Sequence, residues 1–140
     1  MLAVVALCCA LAASDGPAMR IAAARHLGGA YFPDETAKGY GLTSVEQAVV
    51  DGRPVARLTF LNKAKSDCFD LIEFVPAEGK SIANGWEQIV ASKSVSASPL
   101  PTDTLVLSRK KGLDVVFLAG SFSSGTANRL VSRLVWQPGD

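Results

Sequence analysis

Leu42-Thr43-Ser44-Val45-Glu46-Gln47-Ala48-Val49-Val50 and Pro54-Val55-Ala56-Arg57-Leu58-Thr59-Phe60-Leu61 flank the dipeptide Asp51-Gly52. Asp-Gly between two β-forming runs favours the left-handed torsions of a tight two-residue turn, so this stretch predicts a β-hairpin. Along the second arm, Val55, Arg57, Thr59 and Leu61 alternate with Ala56, Leu58 and Phe60, which assigns Leu58 and Phe60 to the core. A polar turn follows at 62–66, and Cys68 to Val75 resumes with β-formers until Pro76. The result is a three-stranded antiparallel meander, close to the minimum for independent stability.

Beyond Pro76-Ala77-Glu78-Gly79 the period changes. Ile82, Trp86, Ile89, Val90 and Lys93 fall at helical spacing behind Ser81, a natural N-cap, so a helix is expected over 82–93 with Trp86 and Ile89 laid on the sheet. Gly85 opposes it, at a cost of about 1 kcal/mol relative to Ala. The Ser-rich run 94–103, with Pro99 and Pro101, predicts a mobile loop. Thr104 to Ser108, Leu113 to Phe122 and Arg129 to Trp136 are further expected strands. The last also suits a helix face through Leu130, Leu134 and Val135, but alternation of Leu130, Leu134 and Trp136 with Arg129, Arg133 and Val135 favours a strand. Upstream, the Ala-rich segment before Gly28-Gly29 reads as a short helix or a flexible tail over 14–29. The fold class expected is therefore α+β: one domain over 30–140, a twisted antiparallel sheet of about six strands with one main helix packed on it.

From Leu2 to Ala13 no side chain is charged or strongly polar, and small residues precede the helix-breaking Ser14-Asp15-Gly16-Pro17. This pattern predicts a signal peptide over 1–13 and a periplasmic or secreted mature protein. No Lys or Arg precedes the apolar run, a departure from the usual signal that leaves a buried helix or a lipid anchor as alternatives. The run is shorter than the roughly 20 apolar residues a bilayer core needs, so no integral span is expected in the mature chain. Cleavage would remove Cys8 and Cys9 and leave Cys68, expected as a small core residue with no disulfide partner.

The chain carries 14 Lys and Arg against 13 Asp and Glu, and its basic residues are interrupted by carboxylates, which argues against nucleic-acid binding. His26 is the only His, and Gly120-Ser121-Phe122-Ser123-Ser124-Gly125 lacks the spacing of a nucleophile elbow. One His and one remaining Cys make no zinc set. Asp67, Asp70 and Glu73 are close in sequence, but on a strand Asp70 faces away from the other two, so all three read as solvent-facing charges. No metal, cofactor or catalytic residue is therefore assigned. A binding surface remains: Trp86, Trp136 and Tyr40 are candidate anchors, and Arg53, Arg57, Arg129 and Arg133 form a basic patch if the hairpin and the final strand are neighbours.

Phe74-Val75-Pro76-Ala77-Glu78-Gly79 followed by Gly85-Trp86-Glu87-Gln88-Ile89 resembles a segment of small exported bacterial proteins of unknown function, in which a strand ends in Pro and Trp begins a helix. The resemblance implies export and an α+β domain, and it implies no catalytic residue. The expected function is an exported, non-catalytic envelope or secreted binding or accessory protein. One alternative is a periplasmic carrier of a small apolar ligand, held by Leu58, Phe60, Ile72, Phe74, Trp86 and Ile89. A carboxylate-dependent hydrolase is the third reading.

Overall fold

The structure, a computed structural model, describes residues 16–139, so the expected signal peptide with Cys8 and Cys9 lies outside the described residues. Helix α1 (Gly16–Leu27) leads into strand β1 (Gly29–Phe32). A single 3-10 turn follows, then β2 (Gly41–Val50), β3 (Arg53–Asn62) and β4 (Asp67–Phe74). Helix α2 (Ile82–Ser92) precedes β5 (Thr104–Lys110) and β6 (Leu113–Ala119), and the chain ends with α3 (Ser124–Ser132) and β7 (Val135–Pro138). This is an α+β fold, with a five-stranded antiparallel sheet in the order β2-β3-β4-β6-β5 and a two-stranded ribbon of β1 and β7.

The hairpin forms where its turn chemistry places it. Asp51 and Gly52 both take positive φ, 51° and 77°, and Val50 pairs with Arg53 across them. The α2 helix begins at Ser81, whose hydroxyl accepts the Asn84 amide at 3.2 Å. Ser81→Ala should cost about 1 kcal/mol, read as a fall of several degrees in the melting temperature, because the amide loses its acceptor. An unchanged melting temperature would show that the cap is not holding the helix. Gly85 is needed for packing, since a Cβ there would stand 3.0 Å from the Phe74 ring.

Both faces of the sheet are covered, and this sets most of the differences from expectation. Residues on one face, including Leu58, Phe60, Phe69, Leu71, Val115 and Phe117, pack beneath α1, α3 and the β1–β7 ribbon. On the other face Val55, Ile72, Phe74, Val116 and Leu118 pack with Ile89 and Trp86 of α2 and with Val95 of the following loop. Among the described residues there are three helices: α1 in the segment read as a short helix or flexible tail, the expected α2, and α3 in a segment read in part as strand.

The expected strand over 129–136 is in part a helix. Ser123 caps α3, and Ala127, Leu130 and Val131 are its buried residues, at spacings of three and four. Only Val135 onward is extended. The loop after α2, expected to be mobile, is pinned: Val95 is buried, and the Val95, Ser98 and Pro99 carbonyls accept hydrogen bonds from Arg57. Cys68 is half-buried rather than enclosed.

Candidate functional site

The basic patch does not assemble as expected. The final strand pairs with β1 and not with the β2–β3 hairpin, so Arg53 and Arg57 lie on a different sheet from the strand that follows Arg129 and Arg133. Arg57 is also not on the surface. Only 5% exposed, it donates from Nε and Nη2 to Asp70 Oδ2 at 3.0 and 2.8 Å and spends its remaining bonds on the loop carbonyls. Asp70 is therefore not a solvent-facing charge, and neither is Glu73, which is fully buried on the opposite face. Alternation placed the two on opposite faces correctly, but β4 is a central strand with both faces covered. Arg53 stays at the surface beside Asp51 and donates to Gln88 of α2.

Of the aromatic anchors, Trp86 packs against the core beneath α2. Tyr40 is half-buried, stacks near Phe69 and Phe122, and donates its hydroxyl to Asp67 Oδ2 at 2.8 Å. Burial first, then the Asp67 carboxylate, raises the Tyr40 phenol above its ordinary range. Trp136 differs from both. It is 43% exposed, and its neighbour Val135 is 55% exposed, although both belong to a strand.

Trp136 is held by what lies under it. Its ring centroid is 5.0 Å from that of Tyr31, its partner across the ribbon, and one edge of the indole occupies the space that a Cβ on Gly29 would fill. Tyr31 in turn donates its hydroxyl to the Lys111 carbonyl at 3.1 Å, and the Lys110 ammonium lies 5.7 Å from the Tyr31 ring centroid. Arg129 in the last turn of α3 and Arg133 at its C-cap are exposed and four residues apart, next along the chain to Val135 and Trp136. The Trp136 indole is thus exposed yet held by Tyr31 and Gly29, with the Lys110 ammonium by the Tyr31 ring, while Arg133 acts on the Asp34 carboxylate of the same chain.

The carrier pocket expected between helix and sheet divides between two faces. Leu58 and Phe60 belong to the cluster under the ribbon, whereas Ile72, Phe74, Trp86 and Ile89 belong to the cluster under α2. The cavity beside α2, between Val55, Phe74, Gly85 and Ile89, is about 10 Å³, room for one water. A wider opening of about 570 Å³ lies at the start of α1 between Arg20, Leu42, Thr43, Asn62 and Lys63.

His26, the only histidine, serves the fold: its Nε2 lies 2.9 Å from the Ala48 carbonyl and 3.1 Å from that of Val55. Carbonyls only accept, so Nε2 carries the proton and ties α1 to the hairpin. Among the described residues no three His, Cys, Asp or Glu side chains are grouped to hold a metal ion, and no helix is long and apolar enough to cross a membrane. No family model, curated protein or solved structure matches the chain.

Proposed function

We propose that this is an exported, non-catalytic binding protein that engages a protein partner through the surface around Trp136. The observation that carries the reading is the exposed indole itself. A large aromatic ring left 43% in solvent yet immobilised against Tyr31 and Gly29 loses little conformational entropy on binding, the property of an interface anchor. The Lys110 ammonium beside the Tyr31 ring favours a segment that carries a carboxylate near its apolar side chain. The apolar leader supports a site of action outside the cytosol.

A photo-crosslinking residue placed at Val135 in the native host, with one at the exposed Val49 of edge strand β2 in the other sheet as control, tests the surface directly. A partner captured at Val135 and not at Val49, whose affinity falls at least tenfold on Trp136→Ala, is the expected result. Capture at Val49 alone, or an affinity indifferent to Trp136→Ala, would remove the reading. N-terminal sequencing of the host-derived protein tests export, with a first residue near Ser14 expected and an intact Met1 excluding it.

A further inference from the structure

Glu73 stands on β4 with Ala56 of β3 and Val115 of β6 as its cross-strand neighbours, under the β1–β7 ribbon. It is 0% exposed, and its Oε1 accepts the Tyr31 amide at 2.7 Å. That amide is not spent on β7. In an antiparallel ladder only alternate pairs exchange hydrogen bonds, and Tyr31, opposite Trp136, directs its amide towards the sheet instead. The carboxyl therefore takes the place of a missing strand and joins ribbon to sheet. Its second oxygen, Oε2, is buried with no hydrogen-bond partner among the described residues.

An ionised carboxylate here would hold a full charge with one bond to satisfy it, whereas the neutral acid leaves only a hydroxyl unpaired. Among the described residues no counter-charge reaches it, and Arg20 of α1 lies over the Phe32 ring instead. Ala56, Leu58 and Phe60 of β3 and Leu113, Val115 and Phe117 of β6 line this face with apolar groups. His26 of α1 is committed to the Ala48 and Val55 carbonyls, the Tyr31 phenol of β1 to the Lys111 carbonyl, and Lys110 of β5 lies over the outer Tyr31 ring. Asp67 of β4 receives the Tyr40 hydroxyl, while Arg57 and Asp70 pair on the opposite face of the sheet.

We infer that Glu73 is a proton-operated latch: while protonated it holds the β1–β7 ribbon on the sheet, and giving up its proton accompanies release of the ribbon. Desolvation pushes the folded-state pKa up to about 8, only partly offset by the Tyr31 amide. Once the ribbon lifts and water reaches the carboxyl, the pKa returns to the ordinary carboxylate range of about 4.3. The open state then binds fewer protons than the closed one between those two values. Opening therefore becomes more favourable as pH rises through that window, and the closed state is tightest below it. The latch stands independently of the partner reading. Its consequence, that acid fixes Trp136 in the presenting position and rising pH frees it, rests on that reading.

Amide hydrogen exchange of the full chain followed by NMR at pH 5, 6, 7 and 8, corrected for intrinsic rates, tests it. The Tyr31 amide should be less protected than Leu58 and Phe117, and its protection should fall nearly tenfold per pH unit up to pH 7 and about fivefold from pH 7 to 8, several hundredfold in all. Glu73→Gln, which keeps the acceptor and cannot ionise, should remove the slope. Infrared difference spectra of the wild-type protein provide a second readout that needs no variant, because a protonated buried carboxyl has its own carbonyl stretch. Loss of that band between pH 7 and 9 is expected. Flat Tyr31 protection, protection equal to that of Leu58 and Phe117, or a carboxyl band absent at pH 6 would each overturn the latch. None of these results depends on a partner, so failure here and failure at Trp136 are separable.

Discussion

Arg57→Leu is expected to cost about 3–5 kcal/mol, enough to unfold a domain of this size or leave it barely folded. The reason is what stays behind. Asp70 is 3% exposed and takes both of its Arg57 bonds on one oxygen, so removing the guanidinium strands a carboxylate between Thr59 and Leu118 in the sheet. The Val95, Ser98 and Pro99 carbonyls lose their donor in the same step, and the loop they belong to closes the core over Ile72 and Leu118. Urea denaturation measures the loss. The double variant Arg57→Leu with Asp70→Leu should recover much of it, because an apolar pair leaves no charge uncompensated. A single-variant cost under about 1 kcal/mol would mean that the pair does not hold the structure. Limited proteolysis adds a local check, with Arg57→Leu expected to expose the loop before the strands.

Gly29→Ala is expected to break the ribbon by two independent routes. At φ 128° the backbone is in a region that side chains rarely adopt, a strain of about 1–3 kcal/mol for any non-glycine residue. The new Cβ would also fall inside the Trp136 indole, so the ring must leave Tyr31 and swing into solvent. Tryptophan emission in a Trp86→Phe background should shift to the red, with loss of stability in urea beyond the backbone term. The two routes separate in a double-mutant cycle. Combined with Trp136→Ala, Gly29→Ala should cost only the backbone strain, so the two losses sum to more than the double. Additive losses would show that the ring does not occupy the space over Gly29.

What was legible in the sequence was legible because it is short-range. The Asp51-Gly52 hairpin, the Ser81 cap and the stop at Gly28-Gly29 depend on torsions and hydrogen bonds within a few residues, and each appears where its local chemistry puts it. The segment 129–136 misled for a related reason. Over so short a span Leu130 and Leu134 satisfy two periods, and the deciding signals were the Ser123 cap and a buried Ala127, whose small side chain carries little weight in a pattern count.

The chain order of residues by itself determined the β2–β3–β4 meander and its turns, the alternation that sends Asp70 and Glu73 to opposite faces, and the docking of α2 through Trp86 and Ile89. Only the tertiary structure decided that both faces are covered, and with that the roles of the polar residues. Whether Arg57 is a surface cation or a buried clamp, and whether Glu73 meets water or the Tyr31 amide, depends on what the far end of the chain brings over them: β7 returning to β1, and the loop after α2 folding onto Arg57. Periodicity records which side of a strand a residue takes. It carries no record of what lies on that side, because burial is a property of partners distant in sequence.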